Sequence, residues 1–212
     1  MRRGRAERSE GTDQNLHHGG EYFWLGPSPT GTIRRMDSVV DIVAALSARL
    51  PGVAFEAKPL LTGGAKQADQ FFIRVEPGRL IEVMRTLRDD DSTRFEQLID
   101  LTCVDYLNFP DAADRYGVIY SLLSISRGHR LWVKCFANDP KPAVPSVTSI
   151  WPGAEWMERE VFDMFGVVFE GHPDLRRILT WDGFEAHPLR KDYPLRGKGE
   201  RENYPVITRE SA

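Results

Sequence analysis

Between residues 116 and 137 the chain reads YGVIYSLLSIS-RG-HRLWVKCFA. Two runs rich in aromatic and β-branched residues flank an Arg127-Gly128 pair, and that pattern commits the region to a β-hairpin. FEQLIDLTCVDYLN, at 95–108, leads into it and extends the ladder. Upstream, residues 37–50 have helical spacing at Val39, Val43, Leu46 and Leu50, with Asp37 or Ser38 as cap and Pro51-Gly52 as the stop. VAFEA (53–57) and QFFIRVE (70–76) read as strands separated by a Gly63-Gly64 turn. Pro77 suits the first turn of a second helix with Leu80, Ile81, Met84 and Leu87 as its buried stripe.

This order of helix, strands, helix and antiparallel ladder predicts an α+β fold. Helices pack on a mixed or antiparallel sheet, and an extended C-terminal tail follows. Residues 1–35 mix arginines with Glu7, Glu10 and Asp13, lack periodicity and read as a disordered extension. Only EYFWLG at 21–26 suggests local docking there, and Met36 opens the first patterned segment. The expected division is a core at 36–145, a helix and turn at 146–179, and a partner-wrapping tail at 180–212. NDPKPAVPS, at 138–146, reads as a proline-punctuated link before the helix.

Several function classes are excluded early. Cys103 and Cys135 are the two cysteines, each inside an apolar run, whereas an iron–sulfur cluster or structural zinc needs about four closely placed ligands. No G-x-G-x-x-G follows a strand and no phosphate-binding P-loop pattern occurs, so a dinucleotide fold is not expected. A net charge of -3 gives no footprint for nucleic acid. No run reaches the roughly 20 apolar residues of a membrane span, so any attachment to a membrane is expected to be indirect.

The chemistry-bearing residues gather after residue 150. WPGAEWMEREVFDMFG, at 151–166, begins with a proline suited to a helix start and ends on Gly166, suited to its C-cap. Ala154, Met157, Val161, Met164 and Phe165 form its apolar side, while Glu155, Arg159, Glu160 and Asp163 fall opposite. Trp156 projects among those charges, where a covering tail, a partner surface or a ligand pocket has use for it. Beyond the helix the chain nearly repeats itself: GHPDLRR at 171–177 is echoed by AHPLRKD at 186–192. Glu160 and Asp163 beside His172 or His187 suggest acid–base work, and a stand-alone hydrolase using His172 and Asp163 is one reading. No activated serine or metal-binding H-E-x-x-H accompanies them, and a histidine before proline more often bonds the backbone. Docking fits better. Arg176, Arg177, Arg190 and Arg196 offer planar forks, Trp181, Phe184 and Tyr193 offer apolar anchors, and the prolines stiffen the segment.

The same residues carry a family resemblance. EREVFDMFGVVFEGHPDLRRIL, at 158–179, resembles the characteristic segment of the C subunit (30 kDa type) of NADH-quinone oxidoreductase, the respiratory complex I family. HPLRKDYPL at 187–195 resembles that family's next block, and LTCVDY at 101–106 agrees more loosely. The resemblance implies a structural subunit of the peripheral arm, docked on the large D subunit, in a complex that passes electrons from NADH to a quinone and translocates protons. It implies that FMN and iron–sulfur clusters belong to partner subunits and that this chain binds no cofactor or metal. It also implies a place in the arm near the membrane, and with no convincing transit peptide in residues 1–35 the cytoplasmic side of a bacterial inner membrane is expected. Related membrane-bound hydrogenases and other quinone or ferredoxin oxidoreductases contain similar subunits, which form the alternative. No catalytic role is carried over. The residues expected at partner contacts are Trp156, Glu158, Arg159, Glu160, Asp163, His172, Asp174, Arg176, Arg177, His187, Arg190, Lys191, Asp192 and Tyr193. The acidic helix face and the basic tail are expected to form one charge network that fixes the tail's path.

Overall fold

The hairpin of residues 116–137 is the centre of the sheet. In the computed structural model, which describes residues 39–51, 55–59 and 71–199, β4 (Tyr116–Ser124) runs antiparallel to β5 (His129–Ala137). The register runs from Ser124 opposite His129 to Tyr116 opposite Ala137. Gly128 closes the turn at φ 67, a left-handed conformation that costs glycine little. β3 (Gln97–Asp105) pairs antiparallel with β4, and β2 (Phe71–Val75) lies parallel to β5. β1 (Glu56–Pro59) completes the order β1-β2-β5-β4-β3, a mixed five-stranded sheet.

Side-chain alternation gives the sheet two unlike faces. Ile73, Leu101, Cys103, Val118, Tyr120, Leu122, Leu131 and Val133 are buried on one side. Three helices supply the opposing layer: α1 (Val39–Arg49), α2 (Leu80–Asp89) and α3 (Ala154–Phe165). Ile42 and Leu46 of α1, Val83, Met84 and Leu87 of α2, and Val161 and Phe165 of α3 join those strands in one apolar cluster. Pro77 opens a short 3-10 turn, Pro77–Arg79, that feeds α2. The buried stripe of α2 includes Val83, while Ile81, expected inside, is only half-buried. On the other face Phe72, Arg74, Trp132, Lys134 and Phe136 are only partly covered. A side chain at Gly117 would meet the Tyr106 ring at 2.8 Å, so glycine is what lets Tyr106 lie flat against the strand.

The proline-rich segment before α3 differs from the expected bare link. Residues 143–145 form β6 (Ala143–Pro145), parallel to β7 (Val168–Glu170), with Val144 and Phe169 buried. Strands this short, one ending in proline, leave no periodic trace. α3 ends as expected, with Gly166 left-handed at φ 73 and ψ 24. The first strand begins later than VAFEA suggests, at Glu56. The Asp37 or Ser38 cap, EYFWLG, the Gly63-Gly64 turn, the extension at 1–35 and the stretch 200–212 lie outside the described residues. All described residues belong to the unit Arg35–Ala212.

Candidate functional site

α3 is an amphipathic helix whose polar side is only partly solvated. Glu158 and Asp163 have fully buried side chains and Arg159 is 7% exposed. The chain after Glu170 folds back over Arg159 and Asp163 and binds the helix through main-chain and side-chain groups alike.

The first of the two echoed motifs lies along the side of α3. His172 Nε2 donates to the Glu155 carbonyl at 3.1 Å, and its Nδ1 accepts the Asp174 N–H at 3.0 Å. Arg159 donates to the Arg176 and Arg177 carbonyls, each at 3.1 Å. Asp163 then receives the turn that follows: the N–H groups of Ile178, Leu179 and Thr180 converge on its Oδ2 at 3.0, 2.7 and 2.8 Å. Arg177 reaches its Oδ1 at 2.7 Å, and the Thr180 hydroxyl donates to the same oxygen. Burial pushes the Asp163 carboxyl upward, but the Thr180 hydroxyl and N–H, the Ile178 N–H and Arg177 outweigh it. Its pKa ends well below the usual carboxylate range.

The second motif caps the helix end. The last carbonyls of any α-helix lack intrahelical partners. Here His187 Nδ1 donates to the Asp163 carbonyl at 2.9 Å, the Leu189 N–H to Met164 at 3.1 Å, and Arg190 Nε to Phe165 at 2.6 Å. Burial holds the His187 pKa below its ordinary value, against the pull of the Asp163 carbonyl. Gly166 makes room for this cap: a Cβ there would run into the His187 ring at 2.5 Å and into the Arg190 guanidinium. The tail is pinned again at the end of the sheet, where the Lys191 N–H donates to Asp105 at 2.8 Å. Arg115 bridges Asp105, Asp139 and Asp192 there, at 3.3, 2.5 and 2.8 Å.

Glu158 is a different case. Its Oε1 accepts the Val147 N–H at 2.7 Å, while Oε2 is buried without a hydrogen-bond partner, 4.0 Å from His172 Nε2. Burial drives its pKa up to about 7, against the Ser146 hydroxyl and the Val147 N–H. The hydroxyls of Tyr116 and Tyr120 are also buried without partners. Glu158 sat in the sequence as one more charge of the helix; only the packing of β4 and the segment after β6 singles it out.

The structure thus divides the residues expected at partner contacts. Glu158, Arg159 and Asp163 are enclosed by their own chain, so the expectation that their side chains meet a partner is corrected. Helical spacing could not foresee this, because main-chain N–H and C=O groups of segments without an apolar pattern do much of the covering. The expected charge network exists inside the chain at Asp163–Arg177. His172, Arg177, His187, Arg190 and Tyr193 are half-buried, while Trp156, Glu160, Asp174, Arg176, Lys191 and Asp192 are exposed. Among the described residues the tail leaves Trp156 59% exposed, with its indole 5.1 Å from the Arg159 guanidinium. Sequence reasoning missed Leu179, Leu189 and Leu195, which also project outward. The anchor Phe184 is buried against Trp181 at 4.8 Å. His172 and Asp163 do not meet: both ring nitrogens of His172 are engaged, and Asp163 is saturated by donors. The pair that the hydrolase reading requires is therefore not formed.

Comparison with known proteins points to one family. The family model described as respiratory-chain NADH dehydrogenase, 30 Kd subunit, matches residues 73–199. A relative from Ralstonia pickettii, named as the C subunit of NADH-quinone oxidoreductase, is 51% identical over 64% of this chain and 70% of its own. One of the same name from Caulobacter vibrioides is 47% identical over 74% of this chain and 72% of its own. Among solved structures, a trypsin-resistant fragment of Nqo5 superposes with a TM-score of 0.53 at 30% identity, covering 63% of this chain and 96% of the fragment. An archaeal membrane-bound sulfane sulfur reductase contains a chain with the same fold, with a TM-score of 0.58 at 24% identity, covering 74% of this chain and 85% of that one.

Proposed function

Because the chain belongs to the family of the 30 kDa subunit of respiratory-chain NADH dehydrogenase, we propose that it is a non-catalytic structural subunit of the peripheral arm of a proton-translocating NADH-quinone oxidoreductase. In this reading FMN and the iron–sulfur clusters sit in neighbouring subunits, and this chain holds its neighbours in register. Its tail and α3 dock on the large D subunit, and it reaches the cytoplasmic side of a bacterial inner membrane through other subunits. Among the described residues no helix is long and apolar enough to cross a membrane.

The observation that carries the reading is the outer surface of the clasp that α3 forms with the fold-back after Glu170. Polar bonds fix the tail from within, yet Trp156, Leu179, Leu189 and Leu195 stand exposed at 59%, 63%, 51% and 104%. Apolar side chains on a segment already held in place suit a protein interface, since little ordering entropy remains to be lost on binding. Glu160, Asp174, Arg176, Lys191 and Asp192 supply a charged rim. The test is affinity isolation of the tagged chain from its host membranes, with mass spectrometry of its companions. Recovery of the D subunit, cluster-bearing subunits and an NADH-oxidising flavoprotein is expected. A nickel-binding hydrogenase subunit in their place would move the chain to a sister complex, and a solitary chain would sink the proposal.

A further inference from the structure

The face of the sheet turned away from the helices carries a hollow of about 370 Å³ between β2, β5 and the loop after β3. Its walls are aromatic. Phe72 and Phe136 rise from the strands, Tyr106 packs against Phe136 at 6.1 Å between ring centroids, and Phe109 meets Tyr106 edge-on at 5.7 Å. Phe109 lines the hollow and is 65% exposed, an apolar ring left open to a partner. On the floor, Lys134 holds its ammonium over the Phe72 ring at 4.0 Å.

The charges of the hollow are unevenly matched. Arg74 lies over the Phe136 ring and is paired with Asp114 at 2.8 Å. Asp114 also accepts from Asn138 at 2.9 Å. Asp111 stands on the exposed lip, on a turn at φ 59. Among the described residues no carboxylate pairs with Lys134, although burial already disfavours its charged form. A half-buried ammonium among aromatic rings is complemented by a carboxylate that arrives with its own apolar neighbours.

We propose that this hollow is a second docking site, distinct from the clasp, which receives a segment of another subunit that places an Asp or Glu carboxylate on Lys134 and an apolar side chain between Phe72, Phe109 and Phe136. The site rests on the reading of the chain as an assembly subunit. It lies on the sheet face opposite the layer of α3, so the chain joins two neighbours instead of wrapping one.

Carbodiimide crosslinking of the intact isolated complex tests this, because it joins an amine to a carboxylate only at ion-pair range. An isopeptide between Lys134 and an acidic residue of another subunit is the expected product. Lys134→Glu should then weaken recovery of that subunit by about 30-fold, the scale of a desolvated charge pair left unmatched, while subunits held by the clasp remain. Phe109→Ala, in an exposed loop where folding is not at stake, should weaken the same subunit. A crosslink to a second copy of this chain, or full recovery of every subunit with both variants, overturns the proposal. A wild-type chain that isolates alone sinks the subunit assignment itself, and that result is visible before any variant is made.

Discussion

Glu158 and Asp163 sit in the two halves of α3, both with side chains shut off from solvent, and their surroundings treat them in opposite ways. Asp163 faces the returning tail and accepts from three main-chain N–H groups, a hydroxyl and a guanidinium, so it stays ionised. Glu158 faces β4 and the segment after β6, has only the Val147 N–H and the Ser146 hydroxyl to oppose its burial, keeps one oxygen without a hydrogen-bond partner, and is pushed to about 7. Burial is common to both; the number of donors decides the charge. One carboxylate anchors a fold-back, and the other is a buried proton-binding group at the root of the same helix.

Removing the anchor should have the largest effect. Asp163→Ala strips the Arg177 guanidinium and the turn at 178–180 of their acceptor and should cost about 3–5 kcal/mol in chemical denaturation at neutral pH. A cost under about 1 kcal/mol, the range of a surface pair, would mean the tail is held elsewhere. Next comes the pH dependence, where the two halves must part. Glu158 has a folded pKa of about 7 against an ordinary 4.5. Its contribution is therefore complete below 4.5 and is lost as pH rises through 7, roughly 3 kcal/mol in all. Asp163, depressed in the folded state, contributes above its ordinary value of 3.8 and loses that contribution as pH falls towards its folded value. Glu158→Gln should flatten the near-neutral slope of stability and leave the acid limb intact; parallel curves for variant and wild type would show that Glu158 does not titrate there.

Smaller effects sharpen the contrast between the inner and outer sides of the clasp. Gly166→Ala places a Cβ at φ 73 against His187 and Arg190 and should cost about 1–3 kcal/mol. Loss of amide-exchange protection at Leu189 should accompany it. Trp156→Ala acts outside: it should change the stability of the isolated chain by no more than about 0.5 kcal/mol. Recovery of the clasp's partner should fall as expected for an interface residue worth about 2 kcal/mol. Unaltered recovery would remove Trp156 from the interface.

The sheet and its helical layer were legible because burial there follows local periods. Leu131, Val133 and Cys135 alternate in sequence and in space, and Leu80, Met84 and Leu87 fall at helical spacing. Gly166 marked the end of α3 for a reason that travels with glycine alone. The site was half legible. Its residues were all in view, and both histidines bond main-chain carbonyls as their proline context suggests. The inside and outside of the clasp were not separable. Asp163 and Arg159 read as partner contacts because apolar periodicity records only what hydrocarbon covers, whereas here N–H and C=O groups do the covering from up to 18 positions downstream. β6 and β7 escaped for a related cause, since three-residue strands owe their existence to a partner far along the chain.

The capping of α3 by residues 187–190 also has a consequence in time. A chain emerging from the ribosome presents the helix before the cap, which lies 24 positions beyond Asp163 at His187. Until those residues arrive, a buried-type carboxylate and the last carbonyls of the helix face water, and the sheet already built has an unfinished flank. A chain stopped short of Thr180 would keep its strands yet never close that flank, leaving it the form that proteases reach first. The echoed motifs thus work as a seal of completion, and only a chain translated through both can offer its neighbours a finished surface.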